Sequence, residues 1–145
     1  GTLYVDPDDP IRVTSLAVGN DAIIATGCRG MGPHPVIHSI DGVSWQWAPR
    51  FQDNREGGFW NTLHAGAAYS DTLGFVTVID GGANSDNPFL ATSRDGQAWT
   101  IADVTLPGGY SEIVNIAASA DQVLLTVIDW PGEPTGRALL LSLDS

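Results

Sequence analysis

Most of this chain consists of short apolar runs separated by polar turn residues. Three segments share one design: a strand of small residues, a polar turn, and a second strand rich in β-branched residues. These segments are residues 13–27, 64–80 and 113–129. Their turns contain Asp21, Asp71 and Asp121, which are spaced 50 positions apart. No stretch shows a sustained apolar period of about 3.6 residues, so the pattern predicts strands and essentially no helix.

A third short strand is predicted after each segment, and a fourth after the first two. The third strands are predicted at 35–39, 88–93 and 137–142, and the fourth strands at 44–48 and 98–102. The repeating unit is therefore four antiparallel strands over nearly 50 residues. Units of this kind are typical of β-propeller blades, and small residues suit the inner strands, where blades converge. A β-sandwich has a similar strand count but gives no reason for the repeat.

We therefore expect one all-β domain over residues 1–145, a β-propeller built from four-stranded antiparallel blades. Three blades per chain are predicted, at 11–48, 62–102 and 112–143. Propellers close with about four to eight blades, so three blades alone cannot form a ring.

One motif occurs twice, as SIDGVSW at 39–45 and SRDGQAW at 93–99. An Asp-Gly pair favours a tight hairpin that needs positive φ, and its carboxylate can accept backbone N–H groups of the same turn. The serine adds a side-chain hydrogen bond, and the tryptophan is expected to fold back beneath the turn. We assign these residues a structural role: Ser39, Asp41, Gly42, Trp45, Ser93, Asp95, Gly96 and Trp99.

This motif resembles the Asp-box, or BNR repeat, of sialidase-like β-propellers, in a form shortened by one residue before the glycine. The flanking strands extend the resemblance over nearly the whole chain. It implies a propeller fold and says almost nothing about function. Because Asp-box proteins are often secreted, the resemblance also favours an extracellular location.

A degenerate third copy of the motif straddles the two ends of the sequence. Residues 142–145 read SLDS, and joining them to residues 1–5 places Leu3 where the motif has tryptophan. We therefore expect the strand at 2–5 to complete the third blade. Two copies arranged head to tail would then close a six-bladed homodimer. The alternative is that the chain is a piece of a longer propeller.

The charge of the chain restricts its partners. The net charge is −11, all six basic residues are arginine, and there is no lysine. Such a surface repels phosphate backbones, so nucleic acid is not an expected partner. No apolar run is long enough for a membrane-spanning helix, so no membrane partner is expected. Cys28 has no second cysteine to pair with and fits a small buried apolar residue better than a nucleophile.

The long loops between predicted strands hold the candidate ligand-binding residues. Arginine forks suit carboxylates, and aromatic faces suit sugar rings. The candidates are Arg50, Arg55, Trp60, Tyr110 and Trp130. Two alternatives stay open: the arginines pair with nearby acids to rigidify their loop, and the aromatics cap the core.

The loop that follows residue 79 contains a candidate calcium site. Asp80, Asn84 and Asp86 supply oxygen ligands there, but the full EF-hand spacing and its bidentate glutamate are missing. A plain Gly/Asn/Asp turn is the alternative. No other cofactor is expected.

The sequence thus predicts a non-enzymatic binding or scaffold module whose loop face contacts carbohydrate or protein. The alternative is a sialidase-like glycoside hydrolase that acts only in a complete ring. The resemblance implies that such an enzyme needs three arginines from different blades and a Tyr–Glu pair. Arginines are available, and Tyr110 lies near Glu112, but no catalytic motif can be matched residue by residue. No catalytic residue is therefore assigned.

Overall fold

The structure is a computed structural model that describes residues 2–6, 8–28, 36–48, 63–80, 89–104, 112–129 and 135–142. Within these ranges the chain forms twelve β-strands and no helix, which confirms the all-β prediction. Sheet 1 contains β1 (Thr2–Asp6), β2 (Asp9–Val18), β3 (Ile23–Cys28), β4 (Val36–Ser39) and β5 (Gln46–Trp47). Sheet 2 contains β6 (Leu63–Ser70), β7 (Gly74–Asp80), β8 (Phe89–Ser93) and β9 (Thr100–Asp103). Sheet 3 contains β10 (Glu112–Ser119), β11 (Gln122–Asp129) and β12 (Thr135–Ser142).

Within each sheet, every strand pairs antiparallel with the strand that follows it in the chain. The three sheets fall close to the three predicted units, but their strand counts are five, four and three. The extra strand of sheet 1 is β1, which pairs with β2 through Thr2 and Arg12, Leu3 and Ile11, and Tyr4 and Pro10. The sequence predicts instead that this strand completes the third unit. A single chain cannot show whether β1 pairs with the third unit of a second chain, so this pairing stays a prediction.

The first strands of the three units lie side by side, with β6 between β2 and β10. The Ser15 hydroxyl of β2 donates to the Ala67 carbonyl at 3.4 Å, and the Ala67 N–H donates back to that hydroxyl at 3.2 Å. A Cβ at Gly66, where φ is +124°, would lie 3.2 Å from Ser15 Oγ and 3.5 Å from Ile116 Cγ2. Small residues therefore allow the three strands to approach one another closely.

Sheet 2 is buried on both faces. On one face, Phe75 and Ala67 pack against Ala17 and Ile24 of sheet 1. On the other face, the side chains of β7 and β8 pack against sheet 3. That second cluster contains Val76, Val78, Leu90, Ile113, Ile116, Val123, Leu125 and Val127, and it is the largest apolar cluster of the described residues. Sheet 2 is therefore the centre of the core.

The two interfaces of sheet 2 differ in kind. Val76 and Leu125 hold the same position in the repeated sequences VTVID (76–80) and LTVID (125–129), yet they lie in one cluster. Sheets 2 and 3 thus meet through equivalent faces. Ile24 of sheet 1 pairs with His38 as Val76 of sheet 2 pairs with Thr92, so Ile24 and Val76 lie on equivalent faces of their sheets. Ile24 packs against Phe75, which lies on the face of sheet 2 opposite to Val76. Sheets 1 and 2 therefore meet through opposite faces. In a uniform stack of propeller blades, every interface would join opposite faces, as the interface of sheets 1 and 2 does. The three described sheets do not form such a stack, because sheets 2 and 3 meet through equivalent faces.

The fourth strands begin later than predicted. The sequence predicts strands at 44–48 and 98–102, and the structure has β5 at Gln46–Trp47 and β9 at Thr100–Asp103. The N–H groups of Ser44 and Ala98 donate to an aspartate of the preceding turn, so these residues belong to the turn. Strands β5 and β9 therefore begin two residues later than predicted, because an aspartate side chain binds the backbone N–H groups that precede them.

Two adjacent leucines of β11 provide a test of this core. Leu125 is fully buried, whereas Leu124 points to the other face of sheet 3 and is 41% exposed. Leu125→Ala should lower the free energy of unfolding by about 2–5 kcal/mol through lost burial and cavity formation. Leu124→Ala should lower it by about 0.5 kcal/mol. Urea denaturation of both variants checks the difference, and equal losses would contradict the packing of sheet 3 on sheet 2.

Candidate functional site

The two copies of the repeated motif are the candidate residues that the structure describes in full. Asp80 ends β7, and its side chain lies outside the description. The remaining loop candidates lie outside the described residues: Arg50, Arg55, Trp60, Asn84, Asp86, Tyr110 and Trp130. Their proposed roles in ligand or calcium binding therefore stay predictions.

The first motif turn (residues 39–45) follows β4 and is held by two side chains. Asp41 Oδ1 accepts from the N–H groups of Ser44 at 2.7 Å and Val43 at 2.8 Å. The Ser39 hydroxyl donates to the same carboxylate at 3.0 Å. Ser39 Oγ in turn accepts from the Gly42 N–H at 2.8 Å. One carboxylate oxygen and one hydroxyl thus satisfy the turn's backbone donors, and no partner outside the motif is involved in these bonds.

The second motif turn (residues 93–99) follows β8 and repeats this geometry. Asp95 Oδ1 accepts from the N–H groups of Gln97 at 2.8 Å and Ala98 at 2.9 Å. Ser93 Oγ donates to that carboxylate at 3.1 Å and accepts from the Gly96 N–H at 2.9 Å. The glycines of both turns have positive φ, +75° at Gly42 and +76° at Gly96. These are the hydrogen bonds and backbone angles expected from the Asp-Gly pair.

Both carboxylates are stabilised in the charged form. The Ser44 N–H, followed by the Val43 N–H and the Ser39 hydroxyl, lowers the pKa of Asp41 from 3.8 to about 2. The Ala98 N–H, followed by the Gln97 N–H, lowers the pKa of Asp95, against a smaller opposing effect of burial. A carboxylate with a lowered pKa is a weak base, and Asp41 and Asp95 belong to different sheets. Neither residue is therefore suited to general acid–base catalysis.

The surroundings of the two turns differ. The second motif turn is inserted against sheet 1: a Cβ at Gly96 would lie 2.6 Å from Ile24 Cδ1 and 3.6 Å from His38 Cβ. Trp99 donates to the Gly96 carbonyl at 3.2 Å and packs between sheets 1 and 2. Gly42 is exposed, and Trp45 packs on the opposite, outer face of sheet 1. In the part of the chain that the structure describes, no neighbouring sheet covers the first motif turn as sheet 1 covers the second.

The most exposed positions of the two turns also differ in chemistry. Ile40 is 76% exposed and Val43 is 82% exposed. The matching residues of the second motif turn are Arg94 and Gln97, both polar. Our sequence reasoning did not single out Ile40 and Val43, although aligning the two copies position by position would have found them.

Large exposed apolar side chains are confined to the two outer sheets. Within the described residues they are Leu16, Val18, Ile40, Val43 and Trp47 of sheet 1 and its turn, and Val114, Leu124 and Leu140 of sheet 3. None of them belongs to sheet 2, which has a neighbour on each face. Exposed apolar side chains mark interaction sites in soluble proteins only where they form a contiguous patch.

Comparison of the chain with protein-family models, curated protein sequences and solved structures gave no match in any of the three. The Asp-box resemblance therefore stays a prediction from the two motifs and their flanking strands. Among the described residues, no group of three or more His, Cys, Asp or Glu side chains is placed to hold a metal ion. The same part of the chain contains no helix long and apolar enough to cross a membrane.

The lowered pKa values predict a pH dependence of stability. A carboxylate with a folded pKa below its unfolded value stabilises the protein above the unfolded pKa, and that stabilisation is lost as the pH falls through the folded pKa. For Asp41 the loss should occur between pH 3.8 and about 2. Asparagine keeps an acceptor oxygen and does not titrate. The free energy of unfolding of the Asp41→Asn/Asp95→Asn variant should therefore fall less steeply over this window, and a slope equal to that of the wild type would contradict the assignment.

The two motif glycines predict a graded effect of alanine. Positive φ destabilises alanine at both positions by about 1–2 kcal/mol. Gly96→Ala must also displace the buried Ile24, which should add about 1–3 kcal/mol. Gly42→Ala meets no atom closer than Ile23 Cδ1, at 3.5 Å. Thermal or urea unfolding should therefore rank Gly96→Ala as the more destabilised variant, and the reverse order would show that the second motif turn does not pack on sheet 1.

Proposed function

We propose that this protein is a non-enzymatic binding or scaffold module that assembles with a second copy of itself. The observation that carries the proposal is the distribution of large exposed apolar side chains, which among the described residues occur on the outer sheets and not on the middle one. Sheet 2 indicates what a flanked sheet looks like in this protein. Among the described strands, sheets 1 and 3 each have a neighbouring sheet on one face only, and a second copy would supply a neighbour for the other face.

The first motif turn gives this proposal its most specific contact. Its counterpart in sheet 2 packs on the preceding sheet of the chain through Gly96 and Trp99. In a head-to-tail dimer, sheet 3 of the second copy would take that place beneath the first motif turn, against Ile40 and Val43. Two such contacts related by a two-fold axis close the assembly.

The finer form of the proposal is a six-bladed propeller with three blades from each chain. In such a ring all sheets meet through opposite faces, as sheets 1 and 2 do. Sheet 3 would then turn the face of Leu125 towards the second copy and bring Leu124 and Leu140 against sheet 2. The ring therefore requires sheet 3 to reorient when two chains associate.

In this proposal the ligand binds to the surface formed by the long loops between strands. Support comes from the sequence, in which the long loops contain Arg50, Arg55, Trp60, Tyr110 and Trp130. Carbohydrate or protein is the proposed ligand class because aromatic faces and arginine forks suit sugar rings and carboxylates. A panel of glycans and acidic peptides, compared between the wild type and a Trp60→Ala/Trp130→Ala variant, tests this part. Hydrolysis of a fluorogenic sialoside by the assembled protein would instead favour the glycosidase alternative.

Light scattering over a range of protein concentrations tests the assembly. We expect a species of twice 15.3 kDa. Each chain carries a net charge of −11, so added salt should screen repulsion between the copies and shift the equilibrium towards the dimer. A mass of 15.3 kDa at every concentration and salt level would contradict the proposal.

A matched pair of variants tests the contact surface. Val43→Asp and Gln97→Asp introduce the same charge at the same position of the two motif turns. Only Val43→Asp should weaken the dimer, by about tenfold or more in dissociation constant, because a carboxylate would be buried in the contact. Sedimentation equilibrium measures both variants. Equal effects would indicate a general charge effect and would rule out the first motif turn as the contact.

A further inference from the structure

We infer that the two Asp-Gly bonds of the motif turns are sites of spontaneous rearrangement to isoaspartate, and that the motif serines Ser39 and Ser93 keep both bonds unreacted in the folded chain. The four residues that these bonds join are Asp41, Gly42, Asp95 and Gly96. The inference goes beyond the proposed function, because it concerns the chemical stability of each turn and does not depend on a second copy.

The rearrangement starts from the aspartate side chain and the peptide nitrogen that follows it. The glycine nitrogen attacks the carboxyl carbon, and the N–H proton and the carboxyl hydroxyl leave together as one water molecule. The product of this step is a five-membered succinimide ring. A second water molecule then opens the ring, and breakage of its bond to the backbone carbonyl carbon leaves the chain running through the side-chain carbonyl. Glycine favours the attack because it has no Cβ and restricts the backbone least.

The first motif turn gives each reacting group a different partner. Asp41 Oδ1 accepts from the N–H groups of Val43 at 2.8 Å and Ser44 at 2.7 Å, which fixes the carboxylate towards the residues after Gly42. The Gly42 N–H donates to Ser39 Oγ at 2.8 Å, and that hydroxyl donates to Asp41 Oδ1 at 3.0 Å. The serine hydroxyl thus bridges the two groups that would react, and both of its bonds must break before the attack.

The second motif turn holds its Asp-Gly bond in the same way. Ser93 Oγ accepts from the Gly96 N–H at 2.9 Å and donates to Asp95 Oδ1 at 3.1 Å. Both motif serines are buried, Ser39 at 2% and Ser93 at 4% exposure. Water therefore has little access to the two hydroxyls, and their bonds to the reacting groups are not readily exchanged for bonds to solvent.

The charge state of the aspartates acts in the same direction. The hydroxyl can leave as water only from a protonated carboxyl group. The Ser44 N–H, followed by the Val43 N–H, lowers the pKa of Asp41 to about 2. The Ala98 N–H likewise lowers the pKa of Asp95. At about pH 5, above the ordinary carboxyl pKa, the reactive neutral acid is therefore rarer in the folded chain than in the unfolded chain.

Storage of the protein at about pH 5, with and without urea at a concentration that unfolds it, measures the protection. Cleavage after Arg29 and Arg50 releases peptide 30–50, in which Asp41 is the one aspartate and asparagine is absent. Mass spectrometry with electron-transfer fragmentation then reports isoaspartate at this position, and at Asp95 in its own peptide. Both bonds should rearrange at least about tenfold more slowly in the folded chain, because the hydrogen bonds of both reacting groups must first break.

Two serine variants separate the motif hydroxyl from the rest of the fold, and each turn is the control for the other. Ser39→Ala should raise the rate at Asp41 by about tenfold and leave the rate at Asp95 unchanged. Ser93→Ala should have the opposite effect, raising the rate at Asp95 alone.

Ser70→Ala is a matched control for the loss of a buried serine. Ser70 is 7% exposed, and its hydroxyl accepts from the Leu73 N–H at 3.0 Å and donates to the Ala120 carbonyl at 2.8 Å. It caps a turn as the motif serines do, but residues 70–73 contain no Asp-Gly bond. This variant should therefore rearrange at the wild-type rate at both motif turns.

Amide hydrogen exchange, followed by NMR, checks the cause of the protection. Exchange of the Gly42 N–H should become faster in Ser39→Ala, while exchange of the Gly96 N–H stays unchanged. Equal rearrangement rates in the folded and unfolded wild type would overturn the inference. So would serine variants that rearrange at the wild-type rate, or a variant in which both turns rearrange faster, since the protection would then come from the fold as a whole.

Discussion

The close approach of β2, β6 and β10 is the constraint on which the rest of the structure depends. It is possible because Gly66 has no side chain and because the Ser15 hydroxyl both accepts from and donates to the backbone of Ala67. Once these strands lie together, the sheets attached to them must face one another. The two apolar clusters on either side of sheet 2 follow from that arrangement.

The same constraint explains the asymmetry of the surface. A middle sheet with a neighbouring sheet on both sides buries its apolar residues, whereas an end sheet, among the described strands, has a neighbouring sheet on one face only. Trp99 and Trp45 illustrate the difference, since one fills the space between two sheets and the other lies on an outer face. Identical turns thus acquire different surroundings from their place in the order of sheets.

Much of this fold could be predicted from the sequence, because repetition reveals the strands and the Asp-Gly pair reveals the turns. Strand starts after the motif were misplaced, since alternation alone does not show that Ser44 and Ala98 are held by an aspartate. The sequence also did not predict which face of sheet 3 packs against sheet 2. Val76 and Leu125 occupy equivalent sequence positions, and only packing decides which way each sheet turns. For the candidate site, residue types indicated the bonds of the motif turns but not the exposure of Ile40 and Val43.

The motif turn has one further consequence, which concerns how such chains change over evolutionary time. Its hydrogen bonds join Ser39 and Asp41 to groups within a few residues, so these bonds can form without contacts from the rest of the chain. A duplicated copy would form the same turn at once, before its surroundings had adapted. The positions between the bonded residues take no part in these bonds, so a copy could carry different residues there, as the two turns do at Ile40 and Arg94. Growth of the array by duplication is thereby separated from the refinement of each copy's surface.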